Sequence, residues 1–322
     1  MSQSDNKKAL HVATLSGWYR FEQQGQEWQQ IKRDLSYWTL TCLSVDPADP
    51  KTIYAGTEHS GLFYSKDAGA HWHRAQPNTP KMMLFSTLAL NGRVMVGTVP
   101  SAVYRSKNGS WEELEGVRLN SAGANFPPSP ELQSRARYLA YDPASPGRLY
   151  AGIEVGGMLV SDDDGYHWKP ANEGLTDMDI HEILVSQEHS GMVFLACGEA
   201  AFRSFDRAAH WQEISPKSHD YGTCVAEDKN GTVYLGAAKG RPNLWIREGG
   251  AMAAILRSQD KGATWETVID NLNGGVMHIC STPDGNGMVA GTSDGTLLMI
   301  DDSGTHTVAN GLPFVTSLAL GA

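Results

Sequence analysis

The stretch Ser161-Asp162-Asp163-Asp164-Gly165-Tyr166-His167-Trp168 reads S-x-D-x-G-x-x-W, and it recurs along the chain. Ser65 to Trp72 and Ser258 to Trp265 repeat it in full, and Ser204 to Trp211 repeats it with Ala208 in the glycine position. Ser106 to Trp111 is a shortened copy, while Phe21 to Trp28 and Ile300 to Thr307 are worn ones. Seven units therefore start at 21, 65, 106, 161, 204, 258 and 300. The motif has a physical reading. A strand ends at the serine, the aspartate accepts backbone N–H groups, and glycine supplies the positive φ that such turns need. The tryptophan then buries a large ring against a neighbouring sheet. All of these duties are structural, so the motif residues are read as scaffold and not as site.

Each unit follows one grammar of four short strands, A to D. In the second unit, A is predicted over 39–45, B over 52–57, C over 62–65 and D over 71–75, with Asp-Pro and Ser-Gly turns between them. Alternation, β-branched and aromatic content and Gly/Pro/Asp punctuation support strands, and helical periodicity is absent almost everywhere. The chain opens with a B strand (10–14), a C strand (18–21) and a D strand (28–32), but no A strand. It finishes with Phe314 to Leu320, an A strand with nothing after it. The two ends thus complete one blade. A repeat overrides the two-domain prior that 322 residues would set. The prediction is one all-β domain over residues 1–322, a seven-bladed β-propeller of four-stranded antiparallel blades. A blade shared between the N- and C-terminal strands closes it and leaves only short sheet edges. Residues 1–8 are predicted to be a disordered tail.

The recurring motif resembles the BNR or Asp-box repeat of sialidase-like β-propellers, and the resemblance covers the whole chain. It implies the fold and says little about function. A true sialidase is not expected. Sialidases look like six-bladed propellers with an arginine triad and an F-R-I-P-type stretch before the first Asp box. Here Phe202-Arg203 runs into Ser204-Phe205 and an Asp box, and seven units are counted.

Composition narrows the partners. The net charge of −10 shows no basic footprint for nucleic acid and disfavours anionic membrane surfaces. No run of 18 apolar residues exists, and Met1 to Lys8 is polar and lacks a signal-peptide core. The four cysteines form no C-x-x-C pair and are read as reduced, buried thiols. A cytoplasmic protein is expected.

Strand order places the A–B and C–D turns on one face and the B–C and D–A loops on the other. Both long insertions, 116–133 with Phe126-Pro127-Pro128 and 239–253 with Trp245, fall on the second face, which is predicted to carry the pocket. Aligning the units there gives rings of equivalent residues. The ring after the B strands is Leu15, Glu58, Val99, Glu154, Glu199, Ala238 and Ser293, with His59 next to Glu58. The ring at the start of the A strands is Thr316, Thr41, Ser86, Arg137, His181, Gly222 and Met277. The next ring contains Tyr138, Glu182 and His278. Neighbouring carboxylates repel when both are ionised, so one tends to hold a proton. This suits general acid/base work by Glu154, His181, Glu199 and Tyr138. Arg137, Glu58, His59, His278, Trp38 and Glu182 are the binding candidates. No cofactor is predicted, and a metal on His59, His181 or His278 with a glutamate is the weaker alternative, because no close H-x-H or H-x-x-x-H pair exists.

The expected function is that of a hydrolase or lyase on a small polar or anionic, carbohydrate-like molecule. Two other classes compete. One is a protein-binding or assembly scaffold, as in Asp-box propellers similar to the photosystem II assembly factor. The other is a glycan-binding module that uses Trp38, Trp245 and Tyr37.

Overall fold

A computed structural model describes residues 9–24, 27–75, 83–121, 133–282 and 285–322. The predicted tail and Phe126-Pro127-Pro128 lie outside the described residues. The chain folds into seven four-stranded antiparallel sheets arranged as blades. In blade 1 the order from the axis outward is Val315–Gly321, Ala9–Thr14, Gly17–Gln24 and Glu27–Asp34. The last strand of the chain is therefore innermost in the first blade, with Leu10 opposite Leu320 and Val12 opposite Leu318. The innermost strands of blades 2 to 7 are Leu40–Asp46, Met83–Leu90, Arg135–Tyr141, Ile180–Val185, Tyr221–Glu227 and Val276–Ser281. Each packs on the next, and blade 7 packs on blade 1 to close the ring.

The core lies between blades, where alternate strand residues from two sheets meet. Between blades 4 and 5, for example, Tyr150, Val160, Ile183, Leu195, Phe202 and Trp211 form one buried cluster. Two short helices, Glu115–Ser121 and Pro242–Glu248, stand where the sequence suggested only loops. Pro242 opens the second helix and left-handed Gly249 (φ 79°) ends it, a local signal that reads as a turn when taken alone. No helix among the described residues is long and apolar enough to cross a membrane.

Four of the S-x-D-x-G-x-x-W turns share one hydrogen-bond pattern. The serine Oγ donates to the aspartate at 2.7–2.8 Å in Ser65, Ser161, Ser204 and Ser258. The same Oγ accepts the N–H of Gly69, Gly165, Ala208 or Gly262 at 2.7–2.9 Å. The aspartate in turn accepts the N–H of His71, His167, His210 or Thr264. Ala208 takes the glycine position at φ 68°, so the alanine copy keeps the turn at the cost of some backbone strain. At Gly69 a side chain is excluded, since a Cβ would stand 2.1 Å from the Trp18 ring.

The residue after each aspartate is left-handed, at φ 57–63° for Ala68, Asp164, Arg207 and Lys261. That conformation swings its carbonyl outward, and an arginine of the preceding blade binds it. Arg20 holds Ala68, Arg105 holds Asp164 and Arg203 holds Lys261 at 2.6–2.8 Å, and Arg148 holds Arg207. Two of the tryptophans reach back in the other direction, with Trp211 Nε1 on Ala171 O and Trp265 Nε1 on Ile214 O. The turns therefore lock blade to blade around the outer rim.

Hydrogen bonds from the backbone and side chains of His167, His210 and Thr264, with the Thr264 hydroxyl first for Asp260, hold the Asp163, Asp206 and Asp260 carboxyls at about 2, below their ordinary 3.8. For Asp206 burial acts the other way and is outweighed by the bonds from His210. A depressed carboxylate contributes stability that is present above its unfolded value and lost as pH falls through its folded one. The urea midpoint is therefore expected to fall as pH drops from 3.8 towards about 2. The Asp163→Asn and Asp260→Asn variants should show a shallower fall than the parent, and parallel curves would show that the turns do not carry this effect.

Candidate functional site

The innermost strand of every blade carries a bulge at the same height. The register slips between Leu40 and Cys42, Leu84 and Ser86, Ala136 and Tyr138, and Ile180 and Glu182. It slips again between Gly222 and Cys224, between Val276 and His278, and opposite Ala13/Thr14, where Thr316 is the extra residue. The inserted residues are Thr41, Phe85, Arg137, His181, Thr223, Met277 and Thr316. A bulge leaves one residue without a cross-strand partner and re-aims its side chain. All seven line a single axial cavity of about 710 Å³. The ring expected from sequence is thus corrected at two blades. Phe85 and Thr223 take the places given to Ser86 and Gly222.

The bulges also free carbonyls, and side chains of the preceding blade bind them. Thr316 donates to Leu40 O at 2.9 Å, Thr41 to Leu84 O at 2.5 Å, and Ser86 to Ala136 O at 2.8 Å. His181 does the same for Gly222 O through Nδ1, at 2.6 Å. A carbonyl can only accept, so this bond puts the proton of a neutral His181 ring on Nδ1. Nε2 is then a lone pair facing Tyr221 Oη at 3.5 Å and Asp179 Oδ1 at 3.6 Å. Burial pushes the Tyr221 hydroxyl up to about 12, so it stays a donor.

Charge gathers on blades 4 and 5. Glu154, at the end of its strand, is held by Arg135 and Arg137, each at 3.1 Å. Both guanidinium groups lie over the Phe85 ring, at 5.1 and 5.6 Å from its centroid. Each arginine spends only Nη1 on Glu154, which leaves its Nε and Nη2 donors without a protein partner among the described residues. One layer deeper, Glu182 Oε1 stands 3.3 Å from His278 Nε2, and its other oxygen accepts the Val225 N–H at 3.2 Å. The Tyr138 hydroxyl bonds to the same carboxyl. Burial pushes Glu182 up, to about 8, and pushes His278 down. Burial thus disfavours the charged form of both groups. Ser44 Oγ and His278 Nδ1 are buried without a protein partner, and both residues line the cavity.

The cavity collects Glu154, His181, Tyr138, Arg137, Glu58, His278 and Glu182 from the sequence candidates. Three others lie outside its lining. Glu199 is exposed and pairs with Arg241, the residue that precedes the helix carrying Trp245. The His59 side chain is 79% exposed and stands 3.8 Å from Glu58. Trp38 packs on Phe63 in the core. The sequence reading passed over Arg135, which lines the cavity, and Asp179, which faces His181 Nε2 from outside the lining. Arg135 sits two residues before Arg137, which is the bulge residue, and Asp179 lies just before its strand. Among the described residues, Glu154, Asp179 and His181 bring ligand-type atoms within 4.8 Å of one another. The two guanidinium groups on Glu154 oppose a further cation there.

No protein-family model and no curated protein matches the chain. Solved structures do. A GH74 xyloglucanase from Xanthomonas campestris matches with a TM-score of 0.70 and 17% identity, over 98% of this chain and 52% of that one. A putative 6-phosphogluconolactonase from Bacteroides uniformis matches at 0.69 and 13%, over 98% of this chain and 100% of that one. YCF48 bound to D1 peptide matches at 0.62 and 19%, over 93% and 95%. The chain spans about half the length of the xyloglucanase, and 38% of an ancestral GH74 enzyme that it also matches. At these identities the likeness is one of fold.

The buried acid gives a test of the deep layer. Glu182 has a folded value above its ordinary 4.5, so its contribution to stability is full below 4.5 and lost as pH rises towards about 8. Glu182→Gln is expected to flatten the fall in unfolding free energy over that interval. An unchanged slope would mean that Glu182 is ionised in the folded protein.

Proposed function

We propose that this protein is an enzyme of hydrolase or lyase type that acts by general acid/base chemistry on a small anionic, polar molecule in the axial cavity. The observation that carries the reading is the wall of blades 4 and 5. It presents guanidinium donors of Arg135 and Arg137 that have no partner among the described residues, beside His181 Nε2, which faces Tyr221 Oη and Asp179, within one cavity. The arginines would bind the anion, and Glu154 positions them. Neutralising a carboxylate or phosphate in this way also acidifies the adjacent C–H or polarises the adjacent carbonyl. His181 Nε2 would take a proton, because Gly222 O fixes its tautomer and orientation. The Tyr138–Glu182–His278 layer would return one, because burial keeps a proton on it near neutral pH. The cavity volume falls in the range of small-molecule sites, roughly 300–1,000 Å³. The names of the xyloglucanase and the putative lactonase support a carbohydrate-like substrate class. The recurring serine–aspartate turns support reading the repeat as an Asp box, with a scaffold role.

A second reading, a scaffold for a peptide partner, is favoured by one fact. YCF48, solved with a bound peptide, matches over nearly the full length of both chains, which the GH74 enzymes do not, although the putative lactonase does.

Calorimetry with sugar acids, sugar phosphates and lactones separates the two. Wild type is expected to bind at least one of them, and Arg137→Met to weaken that binding at least tenfold, or about 1.4 kcal/mol. His181→Asn keeps a donor for Gly222 O but removes Nε2. It is expected to abolish turnover of the bound compound while leaving the melting temperature close to that of wild type. Full turnover in His181→Asn would remove the catalytic assignment, and no binding to wild type would favour the scaffold.

A further inference from the structure

The walls of the axial cavity are not alike. The charged groups Arg135, Arg137, Glu154, His181 and Glu182 come from blades 4 and 5. In a ring of seven, the side facing those two blades is blades 7, 1 and 2. Blade 7 contributes Met277 at its bulge and His278 beside it, and blade 1 contributes Leu15 and Phe314 together with Thr316, Ser317 and Leu318. Leu15 and Phe314 are joined by a backbone hydrogen bond at 3.0 Å, so they stand as one fixed patch at the mouth. Leu15 is 44% exposed, although it lines the site. Water gains nothing from this surface, and a ligand that covers it does. Blade 2 contributes threonines to the wall and one charged group, Glu58, at the exposed mouth. On the flank, Phe85 lies under the two guanidinium groups and Glu154 pairs with both, which holds them on the wall of blade 4.

Resting on the anion site assigned above, we infer that the substrate is an amphiphilic organic anion. Its charged head lies against Arg135 and Arg137, and an apolar group, aryl or alkyl, lies across the cavity against Leu15, Phe314 and Met277. A molecule polar along its whole length would leave this patch in contact with water or with hydroxyl groups. One apolar throughout would strand the guanidinium donors.

The test uses matched pairs with one anionic head, differing by an apolar group: glucuronate and phenyl glucuronide, succinate and benzylsuccinate, phosphate and phenyl phosphate. Phenyl glucoside serves as the uncharged control. Isothermal titration of the full chain is expected to show the apolar member of at least one pair binding at least tenfold more tightly. Leu15→Ser, at an exposed position that tolerates a small polar residue, should erase that difference without changing the affinity of the parent anion. Met277→Ser provides the same reading from the neighbouring blade. Equal or weaker binding by the apolar member of every pair overturns the inference and leaves the anion site standing. Phenyl glucoside binding as well as phenyl glucuronide would keep the apolar wall and remove the anion site. No binding by any compound overturns both.

Discussion

A β-bulge at the same height in all seven innermost strands is the feature on which the rest of the protein depends. A regular strand facing the axis would alternate its side chains between the two neighbouring blades. The extra residue breaks that alternation once, and the inserted side chain turns into the hollow. The same distortion takes a carbonyl out of the ladder. An unpaired buried carbonyl costs about 1–3 kcal/mol, so each needs a new donor. Thr316, Thr41, Ser86 and His181 supply donors from the preceding blade. The residues that build the cavity wall are thus also the residues that tie blade to blade.

His181 shows how structure and chemistry meet at one side chain. In position it is the counterpart of Thr316 and Thr41, and its Nδ1 does what their hydroxyls do. A hydroxyl exhausts its donor in that bond, whereas imidazole has a second nitrogen left over. Replacing threonine by histidine in one blade of seven therefore adds a directed lone pair to the cavity while the ring of hydrogen bonds is kept. The outer rim carries the complementary load. There the serine–aspartate turns and the arginines behind them fix the spacing of the blades, so the axial hydrogen bonds do not have to hold the ring together alone.

Much of this was legible in the sequence. The seven turns, the four-strand grammar and the orphan strands at both ends gave the blade count and the closure, because each rests on residue types with local conformational demands. The candidate site was legible only in part. A bulge has no residue signature of its own, so counting along strands slipped by one in blades 3 and 6 and put Ser86 and Gly222 where Phe85 and Thr223 stand. Glu199 and His59 follow B strands just as Glu154 does, yet a loop residue can point outward, and periodicity stops where the strand stops. Arg135 and Asp179 lie at or just before strand starts, where alternation has not yet begun. Glu182 and His278 were found as a ring, but their close approach and the burial that disfavours charge on both are set by packing that no spacing encodes.

The protonation of the His181 ring tests most directly whether the bulges aim chemistry into the cavity. Long-range nitrogen-15 NMR, on protein kept alkaline enough for neutral imidazoles and assigned with His181→Asn, reads which ring nitrogen carries the proton. The hydrogen bond to Gly222 predicts the Nδ1–H form, with an Nε2 resonance that shifts when an anionic ligand is added. An Nε2–H form, or an Nε2 resonance indifferent to every ligand that binds, would contradict it.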